Sequence, residues 1–168
     1  MLRDLLILVL FPAAMAYAAI SDLMTMRIAN WLSALLAAAF FMAALLVGMP
    51  LAEIAYHVLA GALVLAVCFS FFAMGWIGGG DAKLAAATAL WLGFAHLPQY
   101  LFLASILGGL LTLVLLSVRR FPLPQLLLRE RWIVRLHEPT TGIPYGIALA
   151  AAGLLVYPQT LFMRALAG

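Results

Sequence analysis

The chain has 168 residues, of which 68% are hydrophobic and 9% charged, with a formal net charge of +3 and a mean hydropathy of +1.19. A water-soluble domain carries roughly a quarter charged residues, so a protein dissolved in water is excluded. The apolar runs are continuous rather than alternating, which excludes a transmembrane barrel, and the basic residues sit beside these runs, where they suit anionic lipid headgroups rather than nucleic acid.

Six apolar runs close to the ~20 residues that cross a bilayer follow in order, over 5–21, 31–49, 56–75, 82–97, 101–118 and 144–162. The expected fold is all-α: one polytopic membrane bundle of about six transmembrane helices, filling 1–168 as a single domain. Pro12 should kink the first span without preventing insertion. Pro50, Pro98 and Pro139 are expected to punctuate the connections. Arg3 followed by an apolar core and Ala16-Tyr17-Ala18 resembles a signal peptide, but charge placement favours a retained span. With the N-terminus outside, seven of the nine basic residues lie inside (Arg27, Lys83, Arg119, Arg120, Arg129, Arg131 and Arg135), leaving Arg3 and Arg164 outside. Cleavage would reverse the remaining spans and break that rule. Cys68 lies within an apolar run and is expected to be a buried, inert thiol, and no Cys/His cluster offers a metal site. Neither a metal nor a cofactor is expected.

Between the fifth and sixth spans lies the longest polar segment, 119–143. Its stretch 125–137 interleaves apolar and basic residues, which suits an interfacial helix with Trp132 at headgroup level and arginines towards lipid phosphates.

Two stretches carry acids at span ends. Gly78-Gly79-Gly80-Asp81-Ala82-Lys83 breaks the chain between two apolar runs, and Asp22 ends the first run ahead of Arg27-Ile28-Ala29-Asn30. Each has a structural reading. Asp81 could cap the helix that follows, Asn30 could cap the second span, Lys83 could snorkel, and Ser21-Asp22 could terminate the first span. The functional reading rests on both acids facing one membrane side, beside glycines that remove bulk where they converge. Two close carboxylates in a partly dehydrated site share a proton. One can then activate water while the other polarises a peptide carbonyl. The serines have no evident His partner, and His57 and His96 fall on the outer side. Glu53 and His57, four apart, are expected to be solvated. Gly142, Gly146 and Ala150 form a small-residue face suited to close helix packing.

Gly78-Gly79-Gly80-Asp81 resembles the GxGD motif of membrane aspartyl proteases. The Asp22…Arg27-Ile28-Ala29-Asn30 segment resembles the first aspartate motif of type IV prepilin peptidases, and Pro144-Tyr145-Gly146 that family's third recurring feature. The resemblance implies a multi-pass enzyme of a bacterial or archaeal inner membrane, with its active site facing the cytoplasm. It would clip the leader from a prepilin or pilin-like membrane precursor. Asp22 and Asp81 take the catalytic role, with Gly78, Gly79, Gly80, Lys83, Asn30, Pro144, Tyr145 and Gly146 shaping the site. Two departures stand out. The usual Ile-Pro-Asn reads Ile28-Ala29-Asn30, so the local turn could differ, and the paired cysteines of the methyltransferase insert are missing. Cleavage without methylation is therefore expected, as in the short peptidases of Flp/tight-adherence pilus systems. Two other classes remain open: a small proton- or cation-coupled transporter, and a non-catalytic pilus or secretion assembly subunit.

Overall fold

The computed structural model describes residues 2–167, and among them every regular element is helical. Helix α1 (Arg3–Thr25) is followed by α2 (Asn30–Leu46), α3 (Leu51–Ala73) and the 40-residue α4 (Gly79–Val118). After the polar segment come α5 (Arg131–His137), α6 (Tyr145–Val156) and α7 (Leu161–Ala167). Helices α1, α3 and α4 are long and apolar enough to cross a membrane, while α2 and the stretch Tyr145–Gln159 are shorter apolar helices. The chain is an all-α membrane bundle. Helix α1 takes up Pro12 by widening to a π-helical turn over Leu6–Leu10, directly before the ring.

The fourth and fifth expected spans are the two halves of α4, and the break falls at Gly93 rather than Pro98. Gly93 has φ 63 and ψ 178, a conformation essentially reserved for glycine. Pro98 lies about one turn further on, where its ring meets only the first carbonyl of the new helix. The chain reverses at this break. Alongside α6, the first half keeps the same direction, with Thr88 against Gly153 while Gly80 and Gly146 both meet Ile28. The second half runs the opposite way, with Gly108 against Tyr145 and Ala148. Leu97 and Tyr100 cluster with Val156 at the far end.

A helix that stops leaves its last carbonyls without partners. His57, expected to be solvated beside Glu53, is instead buried, with Nδ1 2.7 Å from the Leu90 carbonyl oxygen. Nδ1 donates in this contact, which satisfies a carbonyl in the turn before the break. Phe40 stacks on the imidazole at 5.4 Å. Around this point the core is aromatic: Phe11 stacks on Tyr157 at 4.2 Å and Trp91 lies 4.9 Å from Phe162. Trp91 Nε1 donates to Leu36 O at 2.8 Å and the Tyr157 hydroxyl to Ile7 O at 2.9 Å, so neither polar tip is buried unpaired.

The segment 125–137 is two short pieces rather than one interfacial helix: a 3-10 turn over Gln125–Arg129, then α5, separated by Glu130 at φ −93 and ψ 104. Arg135, expected at lipid phosphates, instead holds the segment to the bundle, and Arg119 does the same from the end of α4. Arg119 donates from Nε to Leu136 O at 2.8 Å and from Nη2 to Thr141 O and Gly142 O, each at 3.0 Å. Arg135 Nη1 donates to Met24 O at 3.1 Å, at the end of α1. A guanidinium fork suits several carbonyls at once, which a lysine could not match.

An added Cβ at Gly93 would lie 2.8 Å from the His57 ring. Gly93→Ala is therefore expected to destabilise the protein by roughly 1–3 kcal/mol, whereas Pro98→Ala should change it by less than about 1 kcal/mol. Thermal unfolding in detergent, followed by helical circular dichroism, measures both.

Candidate active site

The site begins with a short turn. Helix α1 ends at Thr25, Met26 takes a left-handed conformation with φ 56, and α2 starts at Asn30. A non-glycine residue there is held only by its surroundings. Met26 N–H donates to Asp22 O at 2.8 Å, Ser21 Oγ to Arg27 O at 2.8 Å, and Thr25 Oγ1 to Ser21 O at 2.7 Å. These bonds tighten the turn and drive Ile28 inward, where it is buried.

Ile28 sits between two glycines from distant parts of the chain. A Cβ on Gly80 would lie 3.1 Å from Ile28 Cβ, and one on Gly146 would lie 2.7 Å from Ile28 Cδ1. Gly146 also approaches the acid: its N–H donates to Asp22 Oδ2 at 2.7 Å, and an added Cβ would meet that oxygen at the same distance. Asp22 is only 5% exposed. Glycine at 146 thus permits a backbone donor to reach a buried carboxylate.

Asp81 comes from the other side. Sequence suggested it as the cap of its helix, but Gly78 is the capping residue, in extended conformation at φ −73 and ψ 143. Asp81 stands three positions later, in the first helical turn, and its carboxylate turns back towards Gly78. That is the position from which the acid of a capping box faces the cap. The approach is close, since a Cβ on Gly78 would lie 3.0 Å from Asp81 Oδ2. Asp22 and Asp81 line one cavity of about 710 Å³, together with Asn30, Gly78, Gly79, Gly80 and the turn 25–29, within electrostatic reach of each other.

Asn30 does not cap α2 either. Ala29 holds the capping position at φ −68 and ψ 137, and Asn30 Oδ1 accepts from Lys83 Nζ at 2.7 Å. Lys83, expected to snorkel, therefore ties the start of α2 to the start of α4. Pro144 is buried at the N-terminus of α6, where it sets up the turn into Gly146. Tyr145 points away, its ring against Gly108 and its hydroxyl 3.2 Å from Thr112 Oγ1. Of the residues singled out from sequence, the two acids, the three glycines and Asn30 share the cavity. Gly146 and Lys83 border it, and Pro144 and Tyr145 act from behind. Ile28 and Arg119 carried no such expectation. An isoleucine flanked by a polar turn in a membrane chain was the available signal for the first.

Among the described residues no three His, Cys, Asp or Glu side chains gather to hold a metal ion. What the cavity offers is a pair of carboxylates from two helices, one of them held by a backbone N–H, at the end of an apolar bundle. The sequence model of the type IV leader peptidase family matches residues 9–113, a stretch that includes both aspartates and stops short of Gly146. The chain belongs to the type IV leader peptidase family. It is accordingly a protease and a membrane protein. Comparison with curated proteins and with solved structures gives no match.

Membership bears on the departure at Ala29. Its φ of −68 lies where a proline ring fixes that angle, so the turn has the geometry of the family's usual residue without the residue itself. Ala29→Pro is expected to leave peptidase activity intact and to stabilise the fold by about 0.4–1 kcal/mol. Chemical unfolding of both forms in the same detergent measures this. Gly146→Ala should push the Asp22 carboxylate out of place and lower leader cleavage by about 100-fold, with helix content unchanged. Initial rates alongside circular dichroism report the two quantities separately.

Proposed function

We propose that this leader peptidase is an aspartic endopeptidase in which Asp22 and Asp81 activate water between them. The observation that carries the reading is their position in one cavity, delivered by two helix ends that meet only through the fold. Two such carboxylates hold one proton between them. The ionised member takes a proton from water as its oxygen attacks the scissile carbonyl carbon. The protonated member passes its proton to the carbonyl oxygen. Collapse of the tetrahedral intermediate breaks the C–N bond: one of its two hydroxyls returns a proton to the ionised carboxylate as the new carbonyl forms, the amine leaves with the proton taken from water, and the carboxylates return to their starting state. No covalent enzyme intermediate is needed.

The glycine run gives this chemistry its access. Three residues without side chains line the cavity from Gly78 to Gly80, so an extended substrate backbone can approach Asp81. The substrate that fits is a type IV prepilin or pilin-like precursor with a polar leader and an adjoining apolar segment. The expected setting is a bacterial or archaeal inner membrane with the site facing the cytoplasm. The basic residues support this orientation: Arg27, Lys83, Arg119 and Arg135 cluster at the same end of the bundle as both acids. The turn between α1 and α2, residues 26–29, leaves no room for a methyltransferase insert, so the product should leave unmethylated.

Cleavage of a co-reconstituted prepilin tests this directly. Wild type should release the leader, and folded Asp22→Asn and Asp81→Asn should both be inert. Helix capping alone would tolerate either change, because asparagine caps as well as aspartate. Wild-type rates in either variant would remove that residue from the mechanism. The wild-type rate should fall on both acidic and alkaline sides of one optimum, since either fully protonated or fully ionised carboxylates stop the cycle. Mass spectrometry of the mature N-terminus, with S-adenosylmethionine present, should show no added methyl group.

A further inference from the structure

A second cavity, of about 560 Å³, opens beside the first and shares Asn30 with it. It runs between α2, α3 and the first half of α4, and most of its walls are small: Ala34, Ala37, Gly61, Ala62, Ala86 and Ala87. Its floor is tight, because a Cβ on Gly61 would lie 3.2 Å from the Ala86 carbonyl oxygen. Lys83 and Asn30 stand at its mouth, and Leu90 marks its far end. Along α4 those marks are seven residues apart, about 10 Å at the 1.5 Å rise of a helix.

We infer that this groove seats the apolar helix of the precursor, just beyond the bond that is cut. The inference rests on the peptidase reading above and adds where the membrane-embedded part of the substrate lies. Three observations carry it. The groove adjoins the aspartate cavity, the two sharing Asn30 as a wall, so one chain can cross from one into the other over that residue. The order of the two cavities matches the order of the substrate's chemistry, with a polar site at the helix ends and an apolar channel directly below it. Its volume suits a row of side chains rather than a whole helix. In hydrocarbon, helices associate through small-residue grooves that accept a neighbour's ridge, since burial of apolar surface gives no drive there. Ser33 lies on this wall, its hydroxyl buried without a hydrogen-bond partner. The Lys83–Asn30 hydrogen bond forms the sill between the cavities and fixes the mouth of the groove.

Cross-linking and kinetics test this together, in a Cys68→Ser background. Ala34→Cys or Ala62→Cys, combined with inert Asp22→Asn, should form disulfides with single cysteines in the first turns of the precursor's apolar segment. Leu113→Cys, 65% exposed at the wild-type leucine on the second half of α4, should not. In the active enzyme, Ala62→Leu should raise KM for the membrane-inserted precursor by about tenfold while leaving kcat unchanged. A soluble peptide that spans the cut and lacks the apolar segment should be cleaved as by wild type. Equal cross-linking at Leu113 and Ala62, or an Ala62→Leu enzyme impaired equally on both substrates, would overturn the groove assignment while leaving the peptidase reading standing; the groove would then belong to lipid. A wild type that cuts neither substrate would overturn the peptidase reading itself, and the inference with it.

Discussion

The hydrogen bond from Gly146 N–H to Asp22 joins residues 124 apart in sequence, and the geometry of the site depends on it. It forms only because position 146 lacks a Cβ and because Ile28 is wedged against both Gly146 and Gly80. Through that wedge the ends of α1, α4 and α6 are brought to one place. A bulkier residue at either glycine would part the helix ends, and the two acids would no longer line one cavity. The close approach is thus a packing constraint with a chemical consequence.

Elsewhere the structure handles the demands of a membrane in the same economical way. Hydrocarbon supplies no water to satisfy backbone groups, so each interruption in the helices needs a partner from the protein. At the Gly93 break, His57 donates to the Leu90 carbonyl. Past the end of α4, Arg119 takes three carbonyls of the polar segment. Between α2 and α4, Lys83 and Asn30 satisfy one another. These contacts lie at the places where the chain departs from helix, and they free those places to shape a site.

Much of this was legible in the chain itself. Composition and run length gave the all-α bundle, because a membrane leaves few alternatives to a helix. Asp22, Asp81 and the glycine run stood out because acids and consecutive glycines are costly in such a chain. What was hidden is the local choice among equivalent groups. Pro98 and Gly93 both interrupt a helix, and only packing against His57 decides that the reversal occurs at the glycine. Asp81 and Gly78 compete to cap one helix; extended backbone at Gly78 settles it and turns the carboxylate back on the cap. Asn30 serves Lys83 rather than its own helix because the two helix starts are adjacent in space, which no spacing in the sequence records. Arg135 looked like a lipid anchor because its carbonyl partner lies 111 residues away, and nothing marked Arg119 as a tie to the polar segment because its partners lie 17 to 23 residues away.

The central claim is that Asp22 and Asp81 act as one unit. The most direct measurement compares residual leader cleavage by Asp22→Asn, Asp81→Asn and the double variant, under conditions where each is folded. Residues that share one proton and one water lose their function together, so the three variants should settle at the same residual rate. Losses that multiply in the double variant would mean two independent contributions, and the dyad would be wrong.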